Sequence, residues 1–286
     1  METKHVKIQL TILANSLLGA LGGLLLNASG LSEELEGPFI KKEGIEATLY
    51  NTILFVSLLL AGALLLLVLI RIKVSLLKVL GYIAFAMAVF LVSETYGLAL
   101  GAEPNLATVA SLILTTVTVF SLATKPSSRV LAVIQVSVGS LTGSIIAAMV
   151  PPVSVLAMLS AAAAYDLYSV YWGPLKHLLE RFVKPRDPGE NLVDPPVPSP
   201  LTPFAVNLGE VALGMGDIVL YGALSSLALL SPRLDFVRLL AVIVAIGTGM
   251  NFTLKLLKKK GYAPALPIPV LLSITVYMIY NAMVNA

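Results

Sequence analysis

Apolar residues fill nine long stretches of this chain, and polar residues are confined to the segments between them. The stretches are 6–28, 51–70, 79–98, 106–123, 130–150, 153–172, 209–230, 236–256 and 267–284. A helix needs about twenty apolar residues to cross the hydrocarbon core of a bilayer. The pattern therefore predicts an all-α, polytopic membrane protein with nine transmembrane helices. Little more than Pro151-Pro152 separates the fifth stretch from the sixth, so these two form a tight helical hairpin. The first stretch follows Lys4 and Lys7 as a signal peptide would. It is longer than a signal core and carries Gly19-xxx-Gly23, a helix-packing motif, so it reads as a retained span.

Charge gives the spans a direction. Fifteen of the 19 lysines and arginines lie at the N-terminus or in the second, fourth, sixth and eighth loops. By the positive-inside rule the N-terminus is cytoplasmic and the C-terminus outside. The first outer loop, 29–50, is acidic, with Glu33, Glu34, Glu36, Glu43 and Glu46. It reads as a solvated loop or a short amphipathic segment. The sixth loop begins with a helical extension over 175–182. It continues through Pro185, Pro188, Pro195, Pro196, Pro198, Pro200 and Pro203, which deny it a regular helix and make it extended and mobile. The expected organisation is one transmembrane domain, 1–286. A five-helix scaffold covers 1–150, and a four-helix catalytic part covers 153–286 with the cytoplasmic proline-rich loop 183–208.

Composition narrows the chemistry. The chain is 57% apolar and 12% charged, with a mean hydropathy of +0.92; soluble domains carry about 25% charged residues. The net charge is only +3, and the basic residues are not interleaved with aromatics, which argues against a nucleic-acid partner. There are no cysteines, so disulfides, thiolate metal sites and cysteine nucleophiles are excluded. His5 and His177 are isolated at membrane edges. No metal or cofactor is expected.

Two residues stand out against this background. Asp217, in Leu213-Gly214-Met215-Gly216-Asp217, and Asp166, in the sixth stretch, are carboxylates at membrane depth. A charge there costs about 2.5–3.5 kcal/mol on insertion scales and marks a functional site. Asp166 lies eight residues before Pro174, and Asp217 lies eight after Gly209. On antiparallel helices this places both roughly 12 Å below the same face, so the pair can meet. Two adjacent carboxylates share a proton. One then takes a proton from water while the other donates to a carbonyl oxygen, which is general acid–base hydrolysis of an amide. Gly214 and Gly216 leave a face without side chains where a backbone can approach. Pro264-Ala265-Leu266-Pro267 opens the ninth stretch on the same side. It is either a helix start with proline in its first turn or an irregular segment whose amides pair with extended substrate.

These elements together resemble the three signatures of the presenilin and signal-peptide-peptidase family, the GxGD intramembrane aspartyl proteases. They are Tyr165-Asp166 on one span, Gly214-Met215-Gly216-Asp217 on the next, and Pro264-Ala265-Leu266 before the last. The likeness is nearer to presenilin. Tyr165-Asp166-Leu167 is followed by Gly173-Pro174-Leu175 and Glu180, Asp217 by Tyr221, and Lys258-Lys259-Lys260 precedes Pro264. The cytoplasmic N-terminus also matches. Motif support covers 153–284, whereas the first five spans match in number and length only. Met215 stands where the family usually has leucine, which leaves the chemistry in place. The sixth loop lacks the long insert of animal presenilins, and the chain resembles a compact microbial, archaeal homologue working without accessory subunits. The resemblance implies cleavage of transmembrane helices, with Asp166 and Asp217 catalytic and Tyr165 bracing Asp166. It also implies that Pro264, Ala265 and Leu266 line the site. The implied partners are transmembrane-helix substrates and the lipid bilayer, with homo-oligomerisation a further option; the implied place is the cell membrane, if prokaryotic.

Rival readings are a prepilin-type peptidase, which has no counterpart to Pro264-Ala265-Leu266, and a proton-coupled transporter or channel using the same aspartates. A transporter needs a polar path across the whole bilayer, and the outer halves of the sixth and seventh stretches are rich in alanine and leucine. Asn15, Gln135, Glu94 and Gly139-xxx-Gly143 are expected to make helix–helix contacts.

Overall fold

The computed structural model describes residues 2–124, 129–173, 199–208, 212–260 and 263–285. Nine long helices account for most of them: α1 (Glu2–Ala28), α2 (Ile45–Ile72), α3 (Val74–Ala99), α4 (Pro104–Thr124), α5 (Arg129–Met149), α6 (Pro152–Tyr171), α7 (Met215–Leu230), α8 (Phe236–Lys260) and α9 (Pro267–Asn285). Eight are long and apolar enough to cross a membrane; α7 is as apolar but has only 16 residues. The chain is a polytopic helical membrane protein. The acidic loop contributes one exposed helical turn, Leu31–Glu34.

The seventh span departs from the expected helix over 209–230. Helix α7 starts at Met215, and the residues before it form a small antiparallel hairpin, β1 (Ala205–Asn207) and β2 (Ala212–Gly214). Ala205 is opposite Gly214, Val206 opposite Leu213 and Asn207 opposite Ala212; residues 209–211 lie outside the described residues. Val206 and Leu213 are buried while their neighbours are partly exposed, which is the period of a strand. The helix starts where it does because Asp217, its third residue, accepts a hydrogen bond from the Gly214 N–H and caps it.

The described end of the proline-rich loop also takes regular structure, where the prolines predict an extended segment. Ser199–Phe204 forms a 3-10 helix that runs into β1. The predicted extension 175–182 lies outside the described residues. Non-helical backbone at membrane depth survives only where protein covers it. Gln135 of α5 supplies part of that cover, donating to the carbonyls of Thr202 (3.1 Å) and Ala205 (3.5 Å). Gly81 of α3 supplies the space, since a Cβ there would lie 2.7 Å from the Phe204 ring.

Helix α7 is the centre of the molecule, with every residue from Leu220 to Leu229 buried. Small residues let its neighbours reach its backbone. A Cβ on Gly19 of α1 would lie 2.6 Å from Gly222 Cα, and one on Gly143 of α5 would lie 2.0 Å from the Val219 carbonyl oxygen. Between helices in lipid, such close van der Waals packing replaces the hydrophobic drive available in water. Asn15 meets Ser140 across α1 and α5, and Glu94 accepts from Thr108 (2.8 Å) across α3 and α4. Gln135 is the exception among the expected helix–helix contacts, because it serves the 3-10 helix and hairpin.

Helix α2 is built in the opposite way. Asn51 pins its start, exchanging hydrogen bonds with the Ile40 backbone (2.8 and 2.9 Å) and donating to Ser154 of α6 (3.3 Å). From Thr52 to Leu69 none of its residues is buried. At the far end of α7, the buried Arg238 of α8 donates to the Ala228 carbonyl (2.6 Å) and to Asn281 of α9 (3.0 Å), tying three helices together.

Candidate active site

Asp166 sits near the C-terminal end of α6, and Asp217 lies in the first turn of α7. Both occupy the same end of the bundle, as expected, although Asp217 gets there from a strand and not from the middle of a helix. The two carboxylates share the wall of a cavity of about 440 Å³. Apart from Tyr165 and Ser169, the rest of that wall is apolar, including Leu58, Leu59 and Leu66 of α2, Phe204 of the 3-10 helix, and Leu266 before α9.

Backbone donors hold both carboxylates. The Gly214 N–H donates to Asp217 Oδ2 at 3.2 Å. The Leu266 N–H donates to Asp166 Oδ2 at 3.0 Å. Hydrogen bonds to a charged acceptor are about twice as strong as neutral ones. One oxygen of each carboxylate is thus fixed, and the remaining acceptor capacity is available to water and a substrate carbonyl.

Glycine is required at 214 for a reason specific to this site. A Cβ there would stand 2.9 Å from the Asp217 Oδ2 that the Gly214 N–H holds. Gly216 is different: a Cβ would meet nothing within 4 Å, and the residue is exposed and lines the cavity. Its missing side chain widens the space next to Asp217.

The structure sorts the candidate residues. Asp166, Asp217, Tyr165, Gly216 and Leu266 converge on the cavity. Gly214 and Ala265 contribute through their backbones. Met215 turns the other way and packs over Gly139 of α5; Pro264 is buried and does not line the cavity. Among the described residues the buried Tyr165 hydroxyl has no hydrogen-bond partner. The tyrosine that ties the site together is Tyr221, whose hydroxyl donates to the Ala265 carbonyl at 2.6 Å. Its spacing of four from Asp217 placed it on the same helix face and was the available signal. Phe204 and the α2 leucines carried no comparable signal. Among the described residues no group of three or more His, Cys, Asp or Glu side chains is placed to hold a metal ion.

No protein-family model matches the chain, and no curated protein sequence matches it. Solved structures do. A presenilin-family intramembrane aspartate protease in a C222 crystal form superposes with a TM-score of 0.66 at 19% identity, over 98% of this chain and 99% of that one. The structure of a presenilin-family intramembrane aspartate protease in a P2 crystal form superposes with a TM-score of 0.60 at 20% identity, over 96% of each chain. The likeness runs through the whole chain, including the five N-terminal spans that no motif covered.

Proposed function

We propose that this chain, which has the fold of presenilin-family intramembrane aspartate proteases, is itself a protease that hydrolyses peptide bonds within transmembrane helices. The observation that carries this reading is the convergence of Asp166 and Asp217, from different helices, on one cavity beside the Ala265–Leu266 backbone. In the mechanism the two carboxylates share one proton. The ionised partner removes a proton from water, whose oxygen attacks the scissile carbonyl carbon. The protonated partner donates to the carbonyl oxygen, giving a tetrahedral diol. Its collapse breaks the C–N bond, delivers a proton to the departing amine and returns the dyad to its starting state. A helical substrate hides its amides, so it must be unwound locally before attack.

In this reading Asp166 and Asp217 are catalytic, and Gly214, Gly216, Ala265 and Leu266 shape and hold the site. The first five helices are the scaffold and α6 to α9 carry the chemistry, with residues of both parts in one core around α7. The N-terminus is cytoplasmic, and the substrates are single-span proteins of the cell membrane. Beyond Asp217 nearly all of α7 is buried and mainly apolar, which speaks against a proton path through it and so against the transporter reading.

The test uses purified full-length protein in lipid with a labelled single-span peptide, products being read by mass spectrometry. The parent cuts within the span, and Asp166→Asn and Asp217→Asn each lose all detectable cleavage. Cleavage by either variant would overturn the dyad.

A further inference from the structure

We infer that Tyr221 is a positioning residue for the proposed hydrolysis, acting on Asp166 through the peptide unit that joins Ala265 to Leu266. The carbonyl that accepts from Tyr221 on α7 and the N–H that donates to Asp166 on α6 belong to this same peptide. A peptide unit is planar and nearly rigid. Held at its oxygen from one catalytic helix and at its nitrogen on the other helix's carboxylate, it spans the gap between them as a strut.

The sequence explains why this peptide is free for the task. In a helix the Ala265 carbonyl would accept from the N–H four residues on, but that residue is Pro269, which has none. The Leu266 N–H precedes the first turn of α9, where backbone donors lack intrahelical partners. Both ends of the peptide are thus unclaimed by α9, whose first backbone bond runs from Val270 to the Leu266 carbonyl at 2.9 Å. Pro267 starts the helix one residue later.

The strut does more than fix distance. A donor on the carbonyl polarises the amide and strengthens its N–H as a donor, because linked hydrogen bonds reinforce one another away from water. The Tyr221 hydroxyl therefore strengthens the hold on Asp166 Oδ2 without touching Asp166. Tyr221 is fully buried, so its end of the strut is shielded from solvent. It is also the link by which a shift of α7 reaches the carboxylate of α6.

This inference rests on the protease reading, and the experiment separates the two. Parent, Tyr221→Phe and Asp217→Asn proteins are compared in the peptide assay, with kcat and KM determined separately and thermal unfolding followed on the same samples. Tyr221→Phe removes one oxygen and keeps the buried ring, so the unfolding midpoint stays within a few degrees. The expected result is a kcat about tenfold lower, as for the loss of one transition-state-relevant bond, with KM changed less than about twofold. An unchanged kcat, or a rise in KM that accounts for the whole loss, overturns the strut while leaving the protease reading intact. An inert parent, or an Asp217→Asn variant that still cuts, overturns the protease reading, and the strut falls with it.

Discussion

Replacing Gly214 by alanine separates stability from chemistry at this site. The new methyl carbon would stand 2.9 Å from Asp217 Oδ2 and 3.5 Å from its Cγ. The Gly214 backbone is in the extended region at φ −62°, ψ 141°, so alanine brings no backbone strain. The clash falls on the tip of a side chain, which can swing away at little cost to the fold. That tip is the oxygen the Gly214 N–H holds at 3.2 Å. Moving it gives up a hydrogen bond to a carboxylate, worth about 1.5–3 kcal/mol. If the bond is needed to orient the dyad, the rate falls roughly ten- to a hundredfold. The unfolding midpoint should move by no more than a few degrees. Gly216→Ala is the matched control for the thermal melt, because its Cβ meets nothing within 4 Å. The assay is cleavage of a labelled single-span peptide beside a thermal melt. Parent-level kcat in Gly214→Ala would refute the reasoning, and so would a rate loss explained wholly by unfolding.

Two further predictions concern the frame around the dyad. Gly143→Ala drives a methyl to 2.0 Å from the Val219 carbonyl oxygen, where backbone cannot yield, so α5 and α7 must part. Overpacking of this kind costs about 1–3 kcal/mol; the melting midpoint should fall clearly, while Gly62→Ala, whose Cβ meets nothing within 4 Å, should leave it in place. At the far end, Asp235 accepts from the N–H groups of Arg238 (3.0 Å) and Val237 (2.9 Å) and from the Tyr280 hydroxyl (3.0 Å). The Arg238 N–H is the main cause that holds its carboxyl below the usual range. A depressed value in the folded state stabilises above the unfolded carboxylate range, near 3.9, and the benefit is lost as pH falls through the folded value. The gap in melting temperature between parent and Asp235→Asn should therefore be constant from pH 7 to about 5 and close below about pH 4. A gap that widens on acidification contradicts this.

Hydropathy alone located all nine helices, because a bilayer demands long apolar runs and leaves few alternatives. It misplaced the start of α7, because a buried strand and a buried helix can share the same apolar run. Ala205 to Gly214 is uniformly apolar save for Asn207 and Glu210, and its period of two is visible only once Val206 and Leu213 are seen to be buried. The dyad was legible because carboxylates in such runs are rare. The Gly19 and Gly143 contacts were legible as small-residue motifs, but their common target on α7 was not. The Tyr221 link was hidden for another reason: it joins a side chain to a backbone carbonyl 44 residues away. No residue type at 265 announces such a bond, and only the proline at 269 hints that this carbonyl lacks a partner.

The contrast between α2 and α7 has a consequence for how a protease of the proposed kind diversifies. Helix α7 touches its neighbours backbone to backbone, so nearly every substitution on it disturbs the frame. Helix α2 presents Leu58, Leu59 and Leu66 to the cavity, and from Thr52 to Leu69 it buries nothing. Apart from Phe55 and Leu59, which pack against the core, its side chains can be exchanged without repacking it. Under the proposed protease function, variation along α2 can therefore retune which sequences are accepted while α7 stays fixed, and a library confined to positions 58–67 is the economical place to look for altered selectivity.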